Sequence, residues 1–408
     1  MEHYDVVVIG GGIAGSAVAA TLAAAGRTVL VLERQTTYRD KVRGEYMHPW
    51  GVAEVMQLGL DQVLLDAGGS YSAGLIGFGD NVDPHEAIAN ATPLGAFLPG
   101  VQGALCVGHP QASEALNTAA SQRGAHVMRG VGDVELAAGE EPTVRYELDG
   151  IVYEVKCRLI VGADGRQSSV RRALDIPLEQ VESNVTLGGM LVHAPAWDLQ
   201  HSFTGSEGDR YFLAFPRREG FVRLYLACEP GTARSGPDRA QQMLDGFRLE
   251  CVPGSEQLAT AEQAGPCSYY IGSDAWVHTP AVEGAVLVGD AAGWSDPIIG
   301  EGLSVAMRDA RSVTDVMMAS DDWSPAAFQA YADERAERMR RLRVAGHVTS
   351  VIRGTFTPEG RARRIAFLDQ MFTDPLILGM MLGTLIGPET GPVESFEDAY
   401  VERILALA

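Results

Sequence analysis

The chain has 408 residues, 46% of them hydrophobic and 21% charged, which is typical of a folded globular protein with room for two or three packed units. Its formal net charge of -21 disfavours binding to nucleic acid and to anionic lipid surfaces. The five cysteines lack any C-x-x-C spacing, so neither a metal site nor a disulfide framework is expected. No apolar run reaches the roughly 18 residues of a membrane span, and the N-terminus has no secretory pattern. We therefore expect a cytoplasmic protein without a membrane span.

The first 35 residues predict a strand, a glycine turn, a helix and a second strand. "DVVVIG" is a continuous β-branched run, typical of a strand buried on both faces. Gly10, Gly12 and Gly15 follow it as G-x-G-x-x-G and open a helix of small residues. The three glycines allow a tight turn, close approach of a pyrophosphate, and close helix–strand packing. Glu33 ends the second strand, where an acid binds a ribose hydroxyl, so the pattern favours bound FAD or NAD over NADP.

Two later segments also run from an apolar strand into a glycine loop. Residues 158–174, "RLIVGADGRQSSVRRAL", place Asp164 and Gly165 after a strand. Residues 286–310, "VLVGDAAGWSDPIIGEGLSVAMRDA", place Gly289 and Asp290 after another and continue into a helix. A nicotinamide dehydrogenase needs no second dinucleotide-contacting loop far along the chain. Two such loops therefore favour a tightly bound FAD.

Together, the three motifs resemble the para-hydroxybenzoate hydroxylase superfamily of flavoproteins. That superfamily includes aromatic hydroxylases, flavin-dependent halogenases and geranylgeranyl reductases. The resemblance implies an α/β fold with a discontinuous Rossmann-like FAD-binding domain, an inserted mixed β-sheet substrate domain and a C-terminal helical segment. We expect the FAD-binding domain over residues 1–75, 100–172 and 270–330, the substrate domain over 76–99 and 173–269, and the helical region over 331–408.

The resemblance also implies which residues contact FAD. Asp290 would bind the ribityl chain, and the loop 297–302 would face the pyrimidine side of the flavin. Backbone amides reach a flat ring only where no Cβ intervenes, which suits Gly300 and Gly302. The helix that begins near Leu303 would direct its positive end at the flavin. The full predicted set of cofactor contacts is Gly10, Gly12, Ile13, Ala14, Gly15, Glu33, Arg34, Arg43, His109, Asp164, Gly289, Asp290, Pro297, Gly300, Gly302 and Leu303.

Two of these contacts follow from matches to less specific segments. "VRGEYMHPWG" matches the R-G-E loop of the superfamily, so Arg43 is expected at the FAD phosphate or adenosine. In "GHPQASEALNTAASQRG", His109 stands where the superfamily has Arg or Gln. This histidine either donates the same hydrogen bond to FAD or caps its helix.

The segments "YFLAF" and "FVRLYLA" alternate in polarity on either side of "PRREG", which predicts a β-hairpin. We expect its sheet to form the wall of the substrate pocket over the flavin. The candidate catalytic residues near this pocket are Tyr46, His48 and Tyr211, with His193 as a further candidate. A His or Tyr on a half-buried strand more often satisfies a local hydrogen bond, so a structural role is the more common explanation for each of them. Trp50 and Trp294 are expected to flank the flavin region, where simple packing also explains them.

The C-terminal part of the chain is predicted to be helical. "RAERMRRLRVAGHVTSVIRG" is rich in arginine, and in so acidic a protein we interpret it as a solvated helix face. The apolar segment around residues 376–386 either caps the pocket or forms a dimer face. The chain is therefore expected as a monomer or a homodimer.

The reaction favoured by the resemblance is that of an FAD-dependent monooxygenase. A flavin hydroperoxide would hydroxylate or epoxidise an apolar or aromatic small molecule. NADPH or NADH would serve as a transient reductant, or a separate flavin reductase would supply the electrons. The absence of a second dinucleotide fingerprint fits both routes.

Three other functions stay open. Reduction of C=C bonds, as in geranylgeranyl reductases, fits "GDAAGWSDPIIGEGL", but Leu213 replaces the Trp of that family's Y-x-W-x-F-P pattern. "RGEYMHP" also replaces its Cys-containing box. Halogenation is disfavoured, because residues 211–216 lack the Trp pair of W-x-W-x-I-P and Lys41 and Lys156 are the only lysines. A flavin-binding sensor or sequestering protein is the non-enzymatic alternative, since a fold does not fix a function.

Overall fold

The computed structural model describes residues 2–42, 44–198, 200–229, 231 and 236–407. Arg43, predicted to contact FAD, lies outside the described residues. The strands are β1 (Glu2–Ile9), β2 (Val29–Glu33), β3 (Tyr46–Met47), β4 (Ser70–Ser72), β5 (Gly74–Gly79), β6 (Thr92–Pro93), β7 (Ala104–Cys106), β8 (His126–Arg129), β9 (Val134–Ala137), β10 (Thr143–Leu148), β11 (Ile151–Gly162), β12 (Glu179–His193), β13 (His201–Glu207), β14 (Arg210–Pro216), β15 (Phe221–Cys228), β16 (Glu262–Gln263), β17 (Ser268–Trp276), β18 (Ala281–Val282), β19 (Ala285–Leu287) and β20 (Gly293–Trp294). The helices are α1 (Ile13–Ala24), α2 (Pro49–Gln57), α3 (Asp61–Asp66), α4 (Pro84–Ala89), α5 (His109–Gln122), α6 (Ser169–Ala173), α7 (Arg239–Asp245), α8 (Glu256–Ala259), α9 (Gly302–Ala319), α10 (Gln329–Gly354), α11 (Pro358–Gln370), α12 (Pro375–Ile386) and α13 (Asp398–Leu405).

The first sheet has β1 near its centre and the strand order β18-β19-β11-β1-β2-β8. β1 pairs in parallel with β2 and β11, and β11 pairs in parallel with β19. β2 is buried along its whole length, as expected for a parallel strand covered on both faces. The carboxyl ends of these four strands therefore bring Gly10, Glu33, Asp164 and Asp290 to one edge of the sheet, where ligands of such folds bind.

α1 packs against α5 and α9 on one face of the first sheet. Its sequence, "IAGSAVAATLAA", consists mostly of small residues, and the helix is buried on nearly all sides. Small side chains allow this close packing of the helix against its neighbours. The N-terminus of α1 is thereby fixed beside the end of β1.

The second sheet has the order β20-β17-β12-β15-β14-β13-β5-β6 and is antiparallel except at the β13–β5 pair. β14 and β15 form the predicted hairpin, joined by a 3-10 turn at Arg218–Gly220. Because side chains alternate along a strand, the two faces of the sheet differ. Tyr211, Phe215 and Tyr225 point to the side of the Pro297–Ile299 turn, whereas Phe212 and Leu224 pack into a separate core on the other side.

The helices α10 to α13 follow the two sheets, in agreement with the predicted helical segment. The prediction of a solvated arginine face on α10 is wrong, because Arg335, Arg338 and Arg341 are buried. Within the described residues, no helix alone has the length and apolarity to cross a membrane, and α11 with α12 reach that composition only as a pair bent by 92°. The architecture is the α/β fold that the motifs predict, while the boundaries of the two domains stay a prediction.

Candidate active site

The glycine turn after β1 is shaped by backbone contacts. Gly10 has φ +105°, and a Cβ there would lie 2.4 Å from the Ala163 carbonyl oxygen. At Gly15, a Cβ would lie 1.9 Å from the Gly10 oxygen. By contrast, a Cβ on Gly12 would have no atom of the chain within 4 Å. Gly12 is the N-cap of α1 without any side-chain cap, so the space in front of this helix is open to a phosphate.

Glu33 ends β2 beside this turn. Its carboxylate accepts hydrogen bonds from the backbone N–H groups of Gly11 at 2.7 Å and Gln35 at 2.6 Å. The Tyr38 hydroxyl donates to the Gly11 carbonyl. Arg34, the next residue after Glu33, is exposed. The acid is therefore held at the edge where the ribose of a dinucleotide would lie.

Asp164 turns the chain after β11. Its Oδ2 accepts hydrogen bonds from the Ser169 N–H at 2.6 Å, the Ser169 hydroxyl at 2.8 Å and the Val170 N–H at 3.2 Å. Its Oδ1 is buried and has no partner among the described residues. One carboxylate oxygen therefore caps α6, and the other remains as an acceptor.

Asp290 lies in the glycine loop after β19 and contacts the glycine loop after β11. Its side chain is 36% exposed, and its Oδ2 lies 3.2 Å from the Arg166 Nε. The Arg166 guanidinium also stacks over the Trp294 ring, 5.1 Å from its centroid. This position leaves the Asp290 carboxylate accessible to a cofactor hydroxyl.

The loop after Asp290 presents mainly backbone. The Asp296 carboxylate accepts a hydrogen bond from the Ile298 N–H at 2.8 Å and fixes the 3-10 turn Pro297–Ile299. Gly300 then adopts a left-handed conformation with φ +70°. A Cβ on Gly302 would meet no atom within 4 Å, and α9 begins there without a side-chain cap. The buried Leu303 anchors the start of the helix.

A buried ionic cluster, which sequence reasoning missed, supports this loop from α10. Arg335 donates to the Asp309 carboxylate at 2.9 Å and to the carbonyl oxygens of Ala292 and Gly293, both at 2.9 Å. Arg338 donates to Asp309 at 2.6 Å. Burial acts to raise the pKa of Asp309, but the two guanidiniums outweigh it and hold the pKa below its usual value. The Gly289–Ala292 turn is thus held at both ends. The Gly289 N–H donates to Asp309 of α9, and Arg335 of α10 donates to the Ala292 carbonyl.

Tyr46, Tyr211, Phe215 and Tyr225 belong to one buried cluster, which we call the aromatic wall. Tyr46 stacks on Phe215 with ring centroids 4.4 Å apart, and Phe215 lies 5.8 Å from Tyr225. Ile299 of the loop packs into the same cluster. The Tyr211 hydroxyl lies 3.2 Å from Thr204 Oγ1, whereas the Tyr46 hydroxyl is buried without a partner among the described residues. The wall therefore combines an apolar surface with an unsatisfied hydroxyl.

His48 and Glu301 form a second polar group next to the wall. His48 Nε2 lies 2.8 Å from the Ile299 carbonyl oxygen and must donate to it, which leaves Nδ1 as an unpartnered acceptor. Burial lowers the pKa of His48 to about 4, although the hydrogen bond to Ile299 opposes the shift. The Glu301 carboxyl accepts from Trp50 Nε1 at 3.0 Å, and burial raises its pKa well above the usual value. His48 is therefore neutral at neutral pH, and burial favours the protonated form of Glu301.

Not all of the predicted catalytic residues lie at the aromatic wall. Tyr46, His48 and Tyr211 come together around the wall, but His193 does not belong to it. His193 pairs with Phe221 in β15, six residues along the strand from the partner of Tyr211, which is roughly 20 Å away. His109 begins α5 close to the R-G-E loop, since a Cβ on Gly44 would lie 2.8 Å from its ring.

A further ionic group, also missed, joins the R-G-E loop to the second sheet. Arg223 of β15 is fully buried and binds Glu45 through its Nε and through Nη2 at 2.8 Å. Its Nη2 also lies 2.6 Å from Asp40, and Arg217 lies 3.1 Å from Glu45. We call Asp40, Glu45, Arg217 and Arg223 the inter-sheet latch.

These features fit a flavin dinucleotide: an open helix N-terminus for phosphate, an acid at the ribose position and a loop that presents backbone amides. The family profile of the FAD binding domain matches residues 3–344, so the chain belongs to this family. The superfamily expected from the three motifs is thereby confirmed. The protein is an FAD-dependent enzyme of the monooxygenase class.

The sequence identity between this chain and individual proteins is low. Menaquinone reductase of Mycobacterium tuberculosis is 28% identical over 328 residues, covering 78% of each chain. Rifampicin monooxygenase of Streptomyces venezuelae is 27% identical over 343 residues, covering 79% of this chain and 66% of its own. The structure of p-nitrophenol 4-monooxygenase from Pseudomonas putida superposes with a TM-score of 0.77 at 17% identity, covering 96% of this chain and 98% of its own. This structural likeness establishes the shared fold.

Proposed function

We propose that the protein is a monooxygenase that oxidises an apolar or aromatic small molecule bound between the aromatic wall and the loop 297–302. The observation that carries the proposal is that the Tyr46 hydroxyl and the neighbouring His48 Nδ1 are buried at the aromatic wall and have no hydrogen-bond partner among the described residues. Buried polar groups normally have hydrogen-bond partners, so such atoms next to a cofactor loop suit a ligand. An apolar molecule with a single hydroxyl or carbonyl group would satisfy them.

In this proposal, the four loops at the edge of the first sheet hold the cofactor. The N-terminus of α1 binds the pyrophosphate, Glu33 binds the ribose, and Asp290 binds the ribityl chain. Bound FAD, once reduced, supplies the electrons with which molecular oxygen is activated. The backbone of Gly300 and Gly302 would face the flavin, and the positive end of α9 would stabilise negative charge on it.

The chain's own groups would then orient the hydroxyl of the substrate. His48 is neutral at neutral pH, and its Nδ1 can accept a hydrogen bond from a phenolic hydroxyl. The Tyr46 hydroxyl stays protonated, because burial raises its pKa well above the usual value, and so it acts as a hydrogen-bond donor. A hydrogen bond donated by the phenol to Nδ1 increases the electron density of its ring, and the aromatic wall excludes the water that would compete in the reaction.

The proposal also covers the source of the electrons, the domain boundaries and the location of the protein in the cell. NADPH or NADH is the transient reductant, with delivery by a separate flavin reductase as the other route. Residues 76–99 and 173–269 form the substrate domain, and the remaining part up to residue 330 forms the FAD-binding domain. We also propose that the protein works in the cytoplasm.

The deciding experiment supplies the FAD-loaded protein with NADPH or NADH, a panel of phenols and polycyclic aromatics, and isotopically heavy oxygen. A product that gains one heavy oxygen atom supports the proposal. His48→Gln should lower kcat for phenols by about 100-fold or more, without changing the rate of flavin reduction. The control His278→Gln removes a histidine that is 70% exposed and should change neither rate. Consumption of oxygen and reductant without label in any substrate would contradict a monooxygenase.

A second candidate is a quinone or prenyl reductase, favoured by the similarity to menaquinone reductase. The same apolar wall would accept a prenylated quinone. The two functions separate under anaerobic conditions, because only a reductase turns over without oxygen. If the reduced protein passes electrons to menaquinone or saturates a C=C bond in the absence of oxygen, the reductase replaces the monooxygenase as the function.

A further inference from the structure

A cavity of 60 Å³ lies between the edge of the second sheet and α11. Its lining includes Asp80 and Asn81 after β5, Ser206 of β13, and Arg364 and Asp369 of α11. The Arg364 side chain is only 3% exposed. Its Nη2 donates to the Gly208 carbonyl at 3.0 Å, whereas its Nη1 is buried without a partner among the described residues. Arg364 thus lines the cavity and carries a buried guanidinium nitrogen that has no acceptor among the described residues.

Arg353 approaches the same place from the end of α10. Its Nη1 lies 3.5 Å from the Ser206 hydroxyl, and no carboxylate of the described residues forms an ion pair with it. The sequence around it explains this, since residues 338–358 contain neither Asp nor Glu. The pKa of Arg353 is lowered by burial, with the nearby Tyr211 opposing the shift. The pKa of Arg364 is lowered by burial and also by the charge of Arg353, so the two guanidiniums repel each other.

The acids close by do not balance this charge. Asp80 is shared, with Arg361 at 3.3 Å and Arg364 at 3.6 Å. Asp369 is exposed at the rim of the cavity. Glu207, the neighbour of Ser206, instead accepts from the Cys251 N–H at 2.7 Å. Three arginines thus face two carboxylates, in a protein whose net charge is -21.

We propose that Arg353 and Arg364 form a binding site for a small oxyanion, a carboxylate or a phosphate, in this cavity. Guanidinium groups bind such planar or tetrahedral oxyanions through charge-assisted hydrogen bonds. The anion accepts from Arg364 Nη1 and from Arg353, while Ser206 and Asn81 supply neutral donors. It also relieves the repulsion between the two cations.

The site is continuous with the aromatic wall. Ser206 and Tyr211 are direct partners across β13 and β14, and their side chains therefore lie on the same face of the sheet. The Arg353 guanidinium lies over the Tyr211 ring, 5.9 Å from its centroid. Resting on the proposed function, this continuity makes the anion the acidic group of a substrate whose apolar body lies along the wall. The other source of the same chemistry is free inorganic phosphate.

The test is a calorimetric titration of the FAD-loaded protein with inorganic phosphate, acetate and decanoate at constant ionic strength. Arg353→Gln and Arg364→Gln should each weaken binding by about tenfold or more, because each removes a charge-assisted hydrogen bond. Arg361→Gln is the matched control: it removes the same charge beside the same Asp80, but its side chain is 49% exposed. We expect its affinity to stay within about threefold of the wild type.

The relative affinities of the three probes distinguish an acidic substrate group from a free anion. Decanoate binding much more tightly than acetate assigns the site to an acidic substrate group, and equal binding of all three probes assigns it to free anions. Arg353→Gln is the safer variant, because among the described residues Arg353 makes one long hydrogen bond, to Ser206, and glutamine keeps the stem that packs by Tyr211. We therefore expect its melting temperature to stay close to that of the wild type. No binding by the wild type, or equal binding by the wild type and Arg353→Gln, overturns the site. The titration uses neither reductant nor oxygen turnover, so its result is independent of whether the monooxygenase proposal holds.

Discussion

Glu301 and Asp309 are both fully buried carboxyl groups near the flavin loop, yet their pKa values move in opposite directions. Burial disfavours the charged form of both. Asp309 is compensated by two guanidiniums, whereas Glu301 has one hydrogen bond from Trp50 and the neutral His48 at 3.7 Å. The partners of a carboxyl group, and not its depth alone, therefore decide the direction in which its pKa moves.

Replacement of Glu301 by glutamine tests this assignment. When folding raises the pKa of a carboxyl group, the folded protein has its full stability below the pKa of the unfolded chain, about 4.3. Stability is then lost as the pH rises from that value towards the pKa of the folded state. Glutamine stays neutral and keeps a carbonyl oxygen for the Trp50 N–H. The free energy of unfolding of Glu301→Gln should therefore exceed that of the wild type by a margin that grows about 1.4 kcal/mol per pH unit above about pH 4.3.

Urea unfolding at about pH 5 and about pH 7 measures this margin. The control Glu135→Gln changes a side chain that is 75% exposed and should show no such trend. A margin that does not change with pH would mean that Glu301 is ionised in the folded protein.

Gly12 tests the phosphate position. Its φ of -75° is accessible to any residue, and a Cβ there meets no atom of the chain. Gly12→Ala should therefore change the free energy of unfolding of the apoprotein by less than about 1 kcal/mol. The affinity for FAD should fall by at least about tenfold, because the methyl group occupies the space in which the backbone approaches the pyrophosphate. Fluorescence titration of the apoprotein with FAD measures this, and unchanged affinity would contradict the assignment.

At the scale of elements, α10 is the support of the flavin loop. Arg335→Met should lower the free energy of unfolding by about 3–5 kcal/mol, because Asp309 loses one of its two buried partners. FAD affinity should fall with it, since the Ala292 and Gly293 carbonyls lose their donor. Arg340→Met on the same helix is the control: Arg340 is 39% exposed and pairs with Glu337. Its cost should stay below about 1 kcal/mol, and equal losses of stability and affinity in both variants would refute the supporting role.

The sequence predicted the elements that depend on local rules. Gly10, Gly12 and Gly15 follow a buried strand, and such a turn is determined by steric limits within a few residues. The role of Arg335 and Arg338 depends instead on Asp309, which lies 26 and 29 residues earlier in the chain. A charge run alone does not show which of its members are buried. Two signals were available: the three-residue spacing of the arginines, and an aspartate inside the apolar first half of α9.

For α12 too, the sequence alone did not show which part of the protein the helix packs against. Its apolar sequence left a pocket cap and a dimer face open. In the structure, Leu382, Leu385 and Ile386 pack into the cluster of the aromatic wall. Tertiary packing, which hydropathy does not encode, therefore favours the cap.

At the scale of the whole molecule, the inter-sheet latch couples the two sheets. Glu45 belongs to the loop that leads from the first sheet into β3, and Arg223 lies in the middle of the second sheet. The aromatic wall has two sources: Tyr46 lies in β3, which pairs with β7 and β4 in a small third sheet, and Tyr211 lies in the second sheet. We therefore expect the latch to help hold Tyr46, the neighbour of Glu45, against the second sheet.

A double-mutant cycle on Arg223 and Glu45 measures this coupling. Arg223→Met should cost about 3–5 kcal/mol of the free energy of unfolding, because Glu45 and Asp40 lose a fully buried partner. Adding Glu45→Gln should recover part of that loss, since the buried carboxylate no longer lacks its cation, and the two effects should deviate from additivity by about 1–3 kcal/mol. The same cycle on Lys156 and Glu141, whose side chains are 43% and 80% exposed, should give no more than about 1 kcal/mol. Additive effects at Arg223 and Glu45 would show that the sheets are held together by apolar packing, with the latch contributing only local hydrogen bonds.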